Sequence, residues 1–296
     1  VSTLERHIAL AATNIRQKIP SLSAVGVNAG RVPINYRMNG DAMPYKLGKT
    51  APKFNRKTLR LSKYLGSTLP TAPTKLWREY RVPPSGWGLM MNNTVGCCTC
   101  AAIGHMVMLF TAHTGTMVTP TDDQVIAVYS AVTGYDPSQT QPDGSNPTDN
   151  GAAITDILAY WQAVGIAGHK ILGWAQINLD PASIKQAMYL FGAVDIGFNV
   201  PASAMTQFQN GQTWDVVTPD GGNVGGHSVP LFGEGSQGFD CTTWGANQKL
   251  TNAFAASYMD EAYCVVTQDW ISAASGLAPN MINLATLQAD LAAIKV

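Results

Sequence analysis

The stretch Asn92-Asn93-Thr94-Val95-Gly96-Cys97-Cys98-Thr99-Cys100 decides how this chain is read. Three of its five cysteines fall within four residues there; the others are Cys241 and Cys264. Behind the cluster, Ala101, Ala102, Met106, Leu109 and Phe110 recur at helical spacing, so a buried helix is expected to start at the cysteines. A cysteine at the first turn of a buried helix meets unpaired backbone N–H groups and the positive end of the helix dipole. Both favour its thiolate. Gly96, two positions before Cys98, lets the chain turn sharply into the helix, and an upstream amide such as Asn92 has the chemistry of an oxyanion donor.

A thiol nucleophile needs a base. Of the five histidines, His227 fits best, because Gly225-Gly226-His227-Ser228-Val229 places it where a strand begins, with glycines leaving room on one side. His105 and His113 follow Cys98 on the same expected helix and read as packing residues. His169 reads as a loop residue and His7 as a surface one. Cys97 and Cys100 also form a Cys-x-x-Cys, but a redox dithiol wants a thioredoxin-like βαβ setting, which the sequence does not offer. Zinc would need a second ligand pair at matching spacing, so no metal and no cofactor is expected. Whether Cys241 and Cys264 are bridged is left open.

These residues resemble the papain-like cysteine peptidases, in the right order, over roughly residues 86 to 268. Gly96-Cys97-Cys98 is similar to the family's Gly-x-Cys, which makes Cys98 the implied nucleophile. Asn92 stands in the place of the oxyanion glutamine, with Asn93 as a neighbour that could serve instead. Asn150-Gly151 resembles the segment whose backbone pairs with substrate, and Gly226-His227 the segment of the catalytic histidine. Cys98 and His227 are 129 residues apart, close to the ~130–150 typical of such enzymes. Thr242-Thr243-Trp244-Gly245 resembles Asn-Ser-Trp-Gly, which puts Thr242 in the orienting position and Trp244 over the pair. The implied catalytic set is Cys98, His227, Thr242 and Asn92. The implied substrate-binding set is Asn150, Gly151, Gly226 and Trp244. More closely, the chain resembles papain-like proteins encoded by bacteria and their phages.

Around this centre the expected class is α+β. Thr121 with Gln124 has the form of a capping box ahead of Val125, Val128 and Val132. Ile154, Ile157, Leu158 and Trp161 mark another helix, closed by Gly165. Asp180-Pro181 starts one that runs to about Phe191. The period then changes to 2: Val194, Ile196, Phe198 and Val200 alternate with Asp195, Gly197 and Asn199, as in a half-buried strand. Strands are also expected near 228–232, 239–244 and 262–267. The domain reading is a basic arm (1–85), a papain-like body (86–270; helical half about 96–192, strand-rich half about 193–270) and a C-terminal helix (271–296) carrying Leu284, Leu287, Leu291 and Ile294. A short helix is expected within 1–20.

Net charge is zero, yet Val1 to Arg81 holds 15 Lys+Arg against three acids, and the remainder four against 16. Either the arm packs on its own acidic body or it docks on an acidic protein surface such as a capsid. Nucleic acid ranks low, because aromatics are not interleaved with the basic residues. No apolar run approaches the ~20 residues of a membrane helix, and no secretory leader is read at the start. The expected location is cytoplasmic or virion-associated. Two functions compete: a thiol hydrolase, specifically a cysteine peptidase acting on peptide or protein, and a phage or virion decoration protein on the same scaffold. In a third variant the arm lies in the cleft as an intramolecular inhibitor.

Overall fold

The computed structural model describes residues 45–53, 59–63, 72, 86–114, 116–235 and 237–269. The helices expected within 1–20 and 271–296, and most of the basic arm, lie outside the described residues.

The cysteine cluster does open a helix. α1 (Cys98–Thr114) is buried from Cys98 through Thr111, so it is apolar on all sides rather than amphipathic. α2 (Asp122–Thr133) starts with the full capping box, Thr121 with Gln124, and ends on Gly134 at φ 77°, in the left-handed region that favours glycine. α3 (Ile154–Ala163) turns Ile154, Ile157, Leu158 and Trp161 inward. β1 (Ile171–Gln176) follows, then α4 (Pro181–Phe191), capped by Asp180 with proline in its first turn. β2 (Val194–Pro201), α5 (Ala202–Gln209), β3 (Asn223–Glu234), β4 (Gly238–Thr243), β5 (Ala246–Thr251), α6 (Asn252–Tyr258) and β6 (Met259–Thr267) complete the order.

The strands form one antiparallel sheet in the order β1-β6-β2-β3-β4-β5. α1 packs on β3 and β4, with α2 and α3 against α1, while α4 packs on β2, β3 and β6. The architecture is α+β as expected, but segregation along the chain is incomplete. β1 lies inside the helical half, because Ile171–Gln176 is buried almost throughout and shows no alternation to read. β5 and the short helices α5 and α6 were likewise invisible to periodicity.

β2 departs from the half-buried reading. Only Asn199 on it is exposed, and Asp195 is fully buried. In the sheet Gly197 is level with Ser228 of β3 and Glu261 of β6. That register gathers polar side chains around a residue that has none. No described helix is long and apolar enough to cross a membrane.

Candidate active site

Cys98 is the first residue of α1, and His227 sits on β3, the strand on which α1 packs. Both are 1% exposed. The backbone N–H groups of Ser228, the residue after His227, and of Gly48 of the arm act to lower the Cys98 thiol. Burial dominates and pushes the thiol up to about 11. Burial also pushes His227 down to about 3. In this state the pair is a neutral thiol and a neutral imidazole, not the thiolate that a helix N-terminus alone would favour.

The ring of His227 is held on three sides. Nε2 lies 2.7 Å from Thr243 Oγ1. Trp244 stacks on it at 4.3 Å and 17°, and Phe198 meets it edge-on at 5.8 Å. Nδ1 has no hydrogen-bond partner among the described residues. One ring nitrogen is therefore anchored and the other free. The hydroxyl that anchors it belongs to Thr243, one position beyond Thr242. Successive strand residues point to opposite faces, and Thr242 Oγ1 is buried without a partner among the described residues.

Asn92 is also placed differently from expectation. Its Nδ2 donates to Val95 O and to Lys46 O, each at 3.1 Å, so both amide hydrogens are engaged. The first bond belongs to the body and the second to the arm. The adjoining turn is fixed by Asp149, whose two carboxylate oxygens accept from Gly96 N at 3.1 and 2.9 Å. Tyr129 donates to Asp149 at 2.6 Å and accepts from Gly151 N at 2.8 Å. This Asp149–Tyr129 link ties the segments around Gly96 and Gly151 together, and no sequence motif announced it.

The described arm segment 45–53 runs through the groove between those segments and β3. Gly48 O accepts from Ala152 N at 2.8 Å, Thr50 N donates to Ala152 O at 3.0 Å, and Lys49 N donates to Gly226 O at 3.1 Å. The pairing with Ala152 is parallel. Thus Gly226 pairs with the extended arm. At the facing wall it is Ala152 that makes the ladder bonds, whereas Gly151 N is spent on Tyr129 and the exposed Asn150 side chain donates to Pro147 O. Glycine is required by close approach here. A Cβ on Gly48 would lie 1.7 Å from Gly96 O, on Gly151 2.1 Å from Gly48 O, and on Gly226 2.2 Å from Lys49 O. Tyr45 stacks on Trp244 at 5.0 Å, so the tryptophan covers the histidine and anchors the arm as well.

The remaining candidates are structural. His105 is buried, pushed down to about 4 by desolvation, and bonds Gly88 O. His169 pairs with Asp269 at 2.9 Å. His7 and the side chain of His113 lie outside the described residues. All five cysteines are free, so Cys241 and Cys264 are not bridged.

No protein-family model matches the chain, and no curated protein matches it. Solved structures do. The fold is that of the papain-like cysteine proteases. Xylellain, a cysteine protease from Xylella fastidiosa, is similar over 78% of this chain and 99% of its own, with 13% identity and a TM-score of 0.57. The cysteine protease and lectin-like domains of Cwp84, a surface layer associated protein of Clostridium difficile, are similar over 76% of this chain and 56% of theirs, with 10% identity and a TM-score of 0.50. At such identity the likeness speaks for the fold alone. Chemistry must be argued from the side chains.

Proposed function

We propose that this chain is a papain-like thiol hydrolase that cleaves peptide bonds, held in a self-blocked state by its own arm. The observation that carries the reading is the His227 ring. Its Nε2 is fixed by Thr243, and its Nδ1 has no partner among the described residues, on the strand that packs against the helix Cys98 opens. A nucleophile, a base and an orienter of the base are the parts such chemistry requires.

In the blocked state the arm lies over the site, and its Gly48 N–H acts on the Cys98 sulfur. When the arm leaves, water reaches the pair. The desolvation that raised the thiol and lowered the imidazole is relieved, and the α1 N-terminus then favours the thiolate. One Asn92 hydrogen is released from Lys46 O at the same moment, which gives the site an oxyanion donor.

The cycle then balances as follows. Nδ1 of His227 takes the Cys98 proton, and the sulfur adds to the substrate carbonyl carbon. The oxyanion accepts from Asn92 and the Cys98 N–H. Collapse breaks the C–N bond, and the departing amine takes the proton from His227. Water, deprotonated by His227, attacks the thioester, releases the carboxylic acid and restores the thiol.

The test is alkylation of native protein by iodoacetamide across pH, with mapping of the labelled cysteine, on the parent chain and a chain with a displaced arm. Labelling of Cys98 at pH 5 to 6 in the displaced chain, lost in His227→Ala, supports the reading. An ordinary thiol profile near ~8.5, unaltered by His227→Ala, overturns it.

The competing decoration reading rests on the basic arm and on a resemblance to phage-encoded proteins. Within the described segment two of the three lysines pair on the same chain: Lys49 with Asp260 and Glu261, and Lys53 with Asp156. That favours the arm packing on its own acidic body over docking on a foreign particle.

A further inference from the structure

The side chain of Lys49 does something the blocking of a thiol does not require. It leaves the arm at the groove, crosses β2 at Gly197 and ends inside the protein, with the side chain 1% exposed. Its Nζ lies 3.0 Å from Asp260 Oδ2 and 3.0 Å from Glu261 Oε1, and donates to Thr50 O at 3.2 Å. A Cβ on Gly197 would lie 2.0 Å from Lys49 Cε, so the lysine stem fills the space of the missing side chain. Glu261, fully buried, also accepts from Tyr263 at 2.8 Å. A third carboxylate, Asp195, is fully buried too. Its Oδ1 accepts from Ser228 at 2.7 Å, and its Oδ2 has no partner among the described residues. Besides burial, Glu261 helps raise Asp195, and Asp195 in turn helps raise the Cys98 thiol, while Ser228, which bonds Asp195, is the residue after His227.

Two carboxylates, Asp260 and Glu261, meet one ammonium there, with the acid of Asp195 buried nearby, which is more acid than an arm latch needs. Buried acids without a cation are costly, so such a pocket discriminates strongly by charge. A neutral or acidic side chain entering it would strand Glu261 or meet it with like charge. An extended chain laid along Ala152 and Gly226 directs one side chain into the slot over Gly197, as Lys49 now shows.

We propose that this slot is the specificity pocket of the site, and that the peptide substrate is chosen for a lysine or arginine side chain placed where Lys49 now lies. The proposal rests on the hydrolase reading for its biological meaning, but pocket selectivity is measurable without hydrolysis.

The experiment uses the full chain carrying Lys49→Ala, with Cys98→Ala added to prevent turnover. Fluorophore-labelled peptides acetyl-Ala-Gly-X-Ala, with X lysine, arginine, norleucine or glutamate, are titrated by anisotropy. Glycine precedes X as Gly48 precedes Lys49 in the arm. The expected result is at least a tenfold lower Kd for lysine and arginine than for norleucine, and no binding for glutamate. Adding Glu261→Gln or, separately, Asp260→Asn erases the preference. Norleucine binding as tightly as lysine, or no peptide binding at all, overturns the proposal. Lys49→Met, which keeps the stem volume, replaces Lys49→Ala should the latter not fold. Iodoacetamide labelling of the Lys49→Ala chain with Cys98 intact decides the hydrolase reading separately. Lysine-selective binding with an ordinary thiol profile would keep the pocket and remove the hydrolase. An activated thiol without selectivity would do the reverse.

Discussion

Thr243 Oγ1 holds Nε2 of His227 at 2.7 Å, under the stacked ring of Trp244. A hydroxyl donates and accepts, so it can meet either tautomer of the ring. Its contact leaves Nδ1 as the ring nitrogen without a hydrogen-bond partner among the described residues, the nitrogen to which the proposed mechanism gives the Cys98 proton.

That pairing gives the first prediction. Thr243→Val removes the anchor while keeping the shape, and kcat on a fluorogenic peptide amide should fall by about 10- to 10⁴-fold, the range spanned when a triad orienter is lost. Thr242→Val should leave kcat within about twofold and raise Tm slightly, since it removes a buried hydroxyl that has no partner among the described residues, a defect worth about 1 kcal/mol or more. Equal losses in both variants would refute the assignment of Thr243.

Lys49 is the arm's charged anchor. Lys49→Ala leaves Glu261 buried and unpaired, a situation that typically costs about 3–5 kcal/mol. Part of that cost is avoided if the arm lets go and water enters. The expected outcome is a lower Tm together with faster alkylation of Cys98, read by mass spectrometry of the labelled peptide. A lower Tm with unchanged alkylation would mean that the arm stays in place without its lysine.

Gly48→Ala tests the arm by shape alone. The new methyl would lie 1.7 Å from Gly96 O, and backbone on both sides of the groove cannot yield. The arm should leave while every charge is retained. Cys98 alkylation should rise at least tenfold, with the circular dichroism of the body unchanged. Alkylation at the parent rate would show that the groove is already open in solution.

Two buried titrations act in opposite directions. Burial raises Asp195 from its ordinary range to about 8. Its neutral form fits the fold, so that contribution is complete below pH ~4 and is lost as pH rises through about 8. Burial lowers His227 to about 3. Its contribution is complete above pH ~6.5 and is lost as pH falls toward about 3. Asp195→Asn keeps an acceptor for Ser228 and removes the first titration. Its Tm should approach or fall below the parent's at pH 4 and exceed it increasingly from pH 6 to 9. A Tm difference independent of pH would sink this account.

The helices around the site were legible because their signals are local. The capping box at Thr121, the Asp180-Pro181 start and the apolar run behind Cys98 each concern residues within one or two turns of each other. The helix start at Cys98 and the strand position of His227 were legible because an apolar run and a glycine pair are local signals too. β1 was not legible, since a strand buried on nearly every residue has no period to detect.

What the sequence by itself determined is most of the helices, the strands that alternate, and the two residues proposed to carry the chemistry. It did so through periodicity, caps and spacing, all properties of neighbours along the chain. Tertiary structure alone decided the rest. It chose Thr243 over Thr242, a difference of one residue that a strand converts into opposite faces. It turned Asn92 toward Val95 and the arm, and laid 45–53 through the groove. It brought Lys49, Asp195 and Glu261 into one buried pocket, although 212 positions separate the first from the last. A free-standing reading of a lysine sees a solvated charge. Only the fold shows that Gly197 leaves it a passage and that two carboxylates on β6 wait at the end.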